Sequence, residues 1–417
     1  MIVTRLKLTN LRAIEAAEFR FQPGFNLIVG VNGVGKTSVL DALGVCLSTV
    51  TKQVNRLRIR VESFAGEDIR IGAEAITVEC TVRVGDRDHT HLLHKPRETS
   101  APQERKAGMP REQVLDTPER AEFLGEAPAA VSGSEPGGRP LAVLFSTNRA
   151  VPSERAPAKA VAAGGVASAF ADAFANRELR LGEFGAWIRV QESLSKERPA
   201  SARALNALGE AVTRFLPGYS HLRLAGDDKP QLVIDRGKTT LPVRQLSDGE
   251  RGTLALVLDL TRRLAQANPR LTDPAADAGA IVLIDEIDLH LHPKWQRLIV
   301  GNLKTAFPRC QFIATTHSPQ VIGEVEHDRI QIIAGGQVYS PTHSYGVDSS
   351  RVLEEVMDSD PRTKEVGDLL SKISGAIGKQ QFAEARALLT IAVERLGESD
   401  PEVTRIRTLL DFVEGKE

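Results

Sequence analysis

Gly30-Val-Asn-Gly33-Val-Gly35-Lys36-Thr37 follows the apolar run Phe25 to Val29 and precedes a helically spaced segment, Thr37 to Leu47. That order of strand, glycine turn and helix decides the fold. A glycine turn alone would account for the glycines, but not for a Lys-Thr pair at a helix start. The whole stretch fits G-x-x-x-x-G-K-S/T, in which glycines let backbone N–H groups wrap phosphates without Cβ clashes. The helix N-terminus adds its partial positive charge. On this reading Asn32, Gly33, Val34, Gly35, Lys36, Thr37 and Ser38 bind ATP, with Lys36 reaching the β- and γ-phosphates and Thr37 holding Mg2+.

A second element, Ala280-Ile-Val-Leu-Ile-Asp285-Glu286, is a branched apolar run ending in two carboxylates. It reads as a central strand delivering charge to its C-terminal edge, where open α/β sheets bind ligands. An acidic strand end is common on surfaces; after a phosphate loop, Asp285 becomes a Mg2+ ligand through water, and Glu286 the group that orients or deprotonates an attacking water. The third element, Leu246-Ser247-Asp248-Gly249-Glu250, precedes a helix from about residue 249 to 266. It reads both as an N-cap and, through its free N–H groups, as an anion site.

These elements sit in a chain of 417 residues with 53 basic and 54 acidic side chains, so a net charge of −1 supplies no global field for gathering nucleic acid. The stretches Arg56-Leu-Arg58-Ile-Arg60 and Arg177 to Arg189 could form a local phosphate-binding face, against the plainer reading of solvated charge. Cys46, Cys80 and Cys310 lack metal or disulfide spacing and read as buried thiols of a reducing compartment. His89, His91 and His94 have no partner spaced to complete a metal site. No signal-peptide pattern or apolar run of the ~18 residues a membrane helix needs is present, which sets the expectation of a cytoplasmic protein without membrane contact.

The pattern predicts an α/β head in two lobes, interrupted by a helical subdomain and followed by a helical region. Residues 1–150 form the N-terminal lobe, with strands at Ile2 to Leu8, Glu18 to Phe21, 75–95 and Leu141 to Phe145, and a Pro-, Gly- and Ser-rich flexible insertion at 97–139. Helical spacing dominates 151–220. Residues 221–345 form the C-terminal lobe, with strands at 222–225, 231–235, 280–284 and 311–315 and a hairpin near 330–340; residues 346–417 are helical.

With its Ser247-Asp248-Gly249-Glu250 in place of the usual signature LSGGQ, the chain resembles the ABC ATPases, and in those substitutions their RecF/SMC/OLD-like branch. The resemblance implies that Ser247, Asp248, Gly249 and Glu250 of one head face the γ-phosphate held by another. It makes Asp288, within Asp288-Leu-His290-Leu-His292-Pro293, a D-loop residue and His317, in Thr315-Thr316-His317-Ser318, the switch histidine beside the γ-phosphate. Catalysis then rests with Glu286 and His317. The family's glutamine loop is not evident; Asn148 or Arg149, after the 141–145 strand, stands in its topological place. Softer patterns are similar to the PtuA ATPases of Septu antiphage systems: Phe184-Gly-Ala-Trp187-Ile-Arg189 with Glu192, Phe215-Leu-Pro-Gly-Tyr219, and Leu241 through Glu250.

That resemblance implies a homo-oligomer of at least two heads, working with a separate nuclease subunit of the HNH type. A RecF/SMC-like DNA-repair ATPase is the alternative, and nucleic acid remains open as a partner. The helical interruption lacks the sustained heptads of a full SMC arm. An OLD-type nuclease would add a Toprim domain, to which Leu409-Leu-Asp-Phe-Val-Glu414-Gly415 has a superficial likeness; a helix end running into glycine accounts for it, and no intrinsic nuclease is expected.

Overall fold

The computed structural model describes residues 1–55, 60–97, 138–149, 164–176, 178–226, 231–355, 357 and 362–414, together with the backbone of 113–114. The insertion expected at 97–139 and the basic residues Arg56, Arg58 and Arg177 lie largely or wholly outside the described residues. The described chain forms two compact units, Met1–Asp348 and Ser349–Glu417.

The first unit is built on a six-stranded sheet. Its strands are β3 (Phe25–Val29), β7 (Leu141–Phe145), β11 (Ala280–Ile284), β12 (Gln311–Thr316), β13 (Ile330–Ala334) and β14 (Gln337–Tyr339). They lie in the order β14-β13-β3-β12-β11-β7, all parallel except the edge strand β14. Every residue of β3, β11 and β12 is buried, as expected of strands covered on both faces.

A second, antiparallel sheet runs β2-β1-β4-β5-β6. It comprises β1 (Ile2–Leu11), β2 (Ile14–Arg20), β4 (Ala75–Val84), β5 (Arg87–Pro96) and the two-residue β6 (Gln113–Val114). Helix α1 (Lys36–Asn55) packs between the two sheets. Val39, Leu40, Leu43, Cys46 and Leu47 join one core with Leu6, Leu8, Val78 and Cys80 of the antiparallel sheet and Ile281, Leu283 and Ile313 of the parallel one. Burial on nearly every side explains why α1 runs eight residues beyond the expected end at Leu47: its second half, including Val50 and Val54, is also buried. The three cysteines are free and buried.

Between β7 and β11 the chain leaves the sheet for helices α2 (Val166–Phe170), α3 (Leu181–Leu194) and α4 (Pro199–Phe215). An antiparallel sheet follows, of β8 (Tyr219–Ala225), β9 (Gln231–Arg236) and β10 (Thr239–Pro242); the last of these was not anticipated, since four residues are too few to show an alternation. Helix α4 begins with Pro199 in its first turn and buries Ala204, Ala207, Leu208, Ala211, Val212 and Phe215, an amphipathic stripe. That stripe faces α5 (Asp248–Ala267) and α6 (Pro293–Ala306).

Helix α5 is tied to α2 by a buried charge. Arg263 donates to Asp259 at 2.7 Å and to the Ala169 and Ala171 carbonyls at 2.6 and 3.0 Å, with both charged side chains 1% exposed. Asp259 also accepts from Arg262 at 2.5 Å.

The second unit holds α7 (Ser349–Glu355), α8 (Lys364–Gly378), α9 (Phe382–Leu396) and α10 (Pro401–Val413). Ile373, Ala385, Leu389, Ile406 and Leu410 make its own core. Asp400 caps α10, and Glu414 just past its other end accepts from Arg386 of α9; Leu409 to Val413, of the segment likened to a Toprim strand, belong to this helix. Among the described residues no helix is long and apolar enough to cross a membrane.

Removing one partner of a buried ion pair leaves an uncompensated charge, at a cost of about 3–5 kcal/mol. Asp259→Ala is therefore expected to lower the unfolding free energy by that order, read as a fall in the urea midpoint, whereas an unchanged midpoint would show that Arg263 is held adequately by the carbonyls alone.

Candidate active site

Parallel register brings the chemistry-bearing loops side by side. β3 ends at Val29 before the glycine loop, β12 at Thr316 before His317, and β11 at Ile284 before Asp285; β12 lies between the other two. Ligands bind at this edge of open α/β sheets, outside the carboxyl ends of the strands.

The glycine loop is open to solvent at Val31, Asn32 and Gly33, while Lys36 is buried. A Cβ at Gly30 would stand 2.6 Å from the Ile333 carbonyl, and Gly35 adopts a φ of +102°, so neither position tolerates a side chain. Lys36 Nζ donates to the Gly30 and Val31 carbonyls at 2.8 and 3.0 Å, curling the cation over its own loop. Burial lowers the Lys36 pKa, and Glu286, Asp285 and Asp288 oppose the shift, which places this cation among three carboxylates.

Thr37 Oγ1 donates to Asp285 Oδ2 at 3.1 Å. Thr315 Oγ1 donates to Asp285 Oδ1 at 2.7 Å and accepts from the Glu286 N–H, also at 2.7 Å. The next residue repeats the pattern: Thr316 Oγ1 donates to Asp288 Oδ1 at 2.6 Å and accepts from the Ser318 N–H at 3.0 Å. The segment at 315–318 is thus wired to both the acidic strand end and the loop after it. Its remaining member, His317, is half-buried, and its pKa falls below the ordinary 6.5 through burial and the nearby Lys36 charge, against the pull of Asp288, Glu286 and Asp285.

Arg12, in the turn between β1 and β2, was not found by sequence reading. It donates to Asp41 at 2.7 Å, to Asp68 at 2.9 Å and to Ser38 Oγ at 3.3 Å, bracing the start of α1. A lone arginine in a strand turn carries no sequence signal for that role. A cavity of about 340 Å3 runs beside it, lined also by Thr37, Asp41, Phe64, Asn176 and Asp285. Asn148 donates to Asn176 at 2.8 Å. Arg149 is buried and donates to the carbonyls of Ser146, Asp285 and Glu286, which engages its guanidinium with backbone.

The 247–250 segment is built differently. Ser247 caps α5 in a capping box: its Oγ accepts from the Glu250 N–H at 3.3 Å and the Glu250 carboxylate accepts from the Ser247 N–H at 3.0 Å. Tyr219 donates to the other Glu250 oxygen at 2.8 Å, and Arg236 lies 5.5 Å over the tyrosine ring. Burial, then the bond to Glu250, pushes the Tyr219 phenol up to about 12, so it stays a donor at neutral pH. Gly249 is buried against the 288–292 loop, where a Cβ would stand 2.6 Å from the His290 carbonyl. His292 caps α6 through Nδ1, and His290 is exposed. Ser247 and Asp248 are exposed, and none of the hydrogen bonds of Ser247, Asp248 or Glu250 reaches the glycine loop. The structure gathers Thr37 and Asp285 by a hydrogen bond and sets Lys36 and His317 within the electrostatic reach of Asp285, Glu286 and Asp288; the hydrogen bonds of the signature segment do not extend to this group.

Residues 5–125 match an AAA domain family, and residues 152–323 match a second AAA domain family whose description names the AbiEii toxin and a Type IV TA system. The chain is similar to the "Retron Ec83 probable ATPase" of Escherichia coli, with 35% identity over 223 residues that cover 52% of this chain and 41% of that protein. It is also similar to the Septu protein PtuA of Bacillus thuringiensis, with 22% identity over 86% of this chain and 85% of the relative. The matched region thus spans less than half the length of the retron relative. An SMC head crystallised with the C-winged helix domain of ScpA aligns with a TM-score of 0.48 and 17% identity over 82% of this chain and 98% of that one.

Two predictions follow from the geometry. With its protonation displaced to lower pH, the His317 ring should titrate with a midpoint below 6.5 by NMR, and Lys36→Ala should raise that midpoint; a midpoint above 6.5 would separate His317 from Lys36. Tyr219→Phe removes the donor that fixes Glu250, which at about 1 kcal/mol for a lost cap interaction should speed hydrogen exchange at the N-terminus of α5 about fivefold. Exchange unchanged there would leave the capping box self-sufficient. The two matched AAA domain families, the motif order and the shared sheet edge make the chain similar to P-loop ATPase heads, among them the retron and Septu PtuA ATPases.

Proposed function

We propose that this chain binds ATP with Mg2+, hydrolyses it between two heads, and uses the cycle to regulate a separate effector, a nuclease of the HNH type, in bacterial antiphage defence. The observation that carries the two-headed reading is the division of the site: one edge of the sheet gathers Lys36, Thr37, Asp285, Glu286 and His317, while Ser247 stands exposed at a helix start bonded only within its own cap. A pre-formed, solvent-facing helix N-terminus suits an anion brought by another head.

The residues fit the nucleotide and its metal. The Thr37 hydroxyl and the Asp285 carboxylate are hard oxygen donors that the fold brings to one place, 3.1 Å apart beside the glycine loop, which is the donor chemistry Mg2+ takes. Thr37 would hold Mg2+ directly and Asp285 through water; the ion supplies charge neutralisation for the phosphates. Lys36 exchanges its loop carbonyls for phosphate oxygens. Glu286 orients the attacking water and accepts its proton, and His317, neutral at pH 7, donates a hydrogen bond to the γ-phosphate. Asp288, held by Thr316, orders the loop against which Gly249 packs, so the signature helix and the acidic strand end are in contact through that loop.

Regulation of an effector is supported by the similarity to the proteins named Retron Ec83 probable ATPase and Septu protein PtuA. Glu286→Gln should lower turnover about 10²–10⁴-fold, the usual weight of a general base, while ATP affinity persists. Turnover per head should rise with protein concentration, and full activity in a demonstrated monomer would remove the two-headed site. Co-purification from the native host followed by mass spectrometry should recover an HNH protein; turnover driven by duplex DNA with no nuclease recovered would instead assign the chain to DNA handling.

A further inference from the structure

Glu286 adopts a φ of +47°, the left-handed region that costs a residue with a side chain about 1–3 kcal/mol. Such strain persists only where the surroundings over-determine it. Two groups hold this peptide from opposite sides. Thr315 Oγ1 takes the Glu286 N–H at 2.7 Å. Arg149 takes the carbonyls: Nη1 donates to Asp285 O at 2.5 Å and to Ser146 O at 2.9 Å, and Nη2 donates to Glu286 O at 2.8 Å. The Arg149 side chain reaches them because β7 pairs with β11 in parallel and ends beside it, and the 3-10 turn Thr147–Arg149 folds the chain back under the acidic strand end.

Arg149 is 6% exposed, and among the described residues it forms no ion pair with a carboxylate at hydrogen-bond distance. Burial lowers its pKa to about 10, with Asp285, Asp288 and Glu286 opposing, so it remains a cation at neutral pH. A buried cation bonded only to carbonyls is a costly arrangement for stability alone. Its geometry suits a planar fork spanning successive carbonyl oxygens, which a lysine ammonium cannot reproduce.

We propose that Arg149 is a positioning residue for hydrolysis: by clamping the carbonyls of Asp285 and Glu286 it keeps Glu286 in its left-handed conformation and thereby aims the carboxylate. This rests on the reading of Glu286 as the group that activates water. Once the fork is lost, the backbone can relax toward the right-handed region and carry the carboxylate with it, and a displacement of about 1 Å costs on the order of 10²-fold in rate.

The test compares Arg149→Ala, Arg149→Lys and Glu286→Gln in the full chain, with binding of a fluorescent N-methylanthraniloyl ATP, steady-state phosphate release and thermal melting measured for each. Both Arg149 variants should bind nucleotide as the wild type does and lose turnover about 10²-fold. Millimolar guanidinium ion should restore part of the turnover to Arg149→Ala and none to Glu286→Gln. If Arg149→Ala melts below the assay temperature, Arg149→Lys carries the comparison. Wild-type turnover in a folded Arg149 variant, with Glu286→Gln inactive, would overturn this proposal alone. Loss of ATP affinity in step with turnover would also overturn it, making Arg149 a support of the whole site. Full turnover in Glu286→Gln would remove the underlying reading and this proposal together.

Discussion

The interposition of β12 between the glycine-loop strand and the acidic strand is the constraint on which the site depends. Register sets Thr316 beside Val29 and Ala314 beside Ile284, so Thr315 lies next to the point where β11 gives way to Asp285. From there its one hydroxyl accepts the Glu286 N–H and donates to the Asp285 carboxylate. A shift of a single residue would turn that hydroxyl to the opposite face of the sheet and break both bonds. Burial of β3, β11 and β12 on both faces holds the register against such a slip.

Electrostatics then follow from position. Lys36 and Arg149 are both buried cations next to the same three carboxylates, yet they differ in what they are free to do. Lys36 is bonded to loop carbonyls beside exposed residues and can exchange them for another oxygen ligand. Arg149 lies beneath the strand end, bound to backbone on which the site is built. The first is arranged to bind, the second to hold.

The helical insertion and its small sheet serve the other half of the site. Tyr219 begins β8 directly after α4, and its phenol reaches Glu250 at the start of α5, so packing of α4 on α5 and the capping of α5 belong to one assembly. Gly249 continues the connection to the 288–292 loop, since only a residue without Cβ can approach the His290 carbonyl so closely. A change in the insertion therefore has a short physical route to the signature segment and from it to the acidic strand end.

By itself the amino-acid sequence determined the strand-loop-helix unit at 25–47, the buried acidic strand, the serine cap and the helical regions. Each is encoded locally, as a run of apolar residues, a glycine spacing or a capping pattern. It did not reveal that α1 extends to Asn55, because burial by two separate sheets rather than helical periodicity sustains its second half. It did not reveal Arg12 as a brace of Ser38 and Asp41, nor which function Arg149 has, since those partners are 26, 29 and 136 residues away. Tertiary structure alone decided these roles: an arginine's task depends on which carboxylates or carbonyls lie within about 3 Å of its fork, and strand order, not neighbouring sequence, sets that distance.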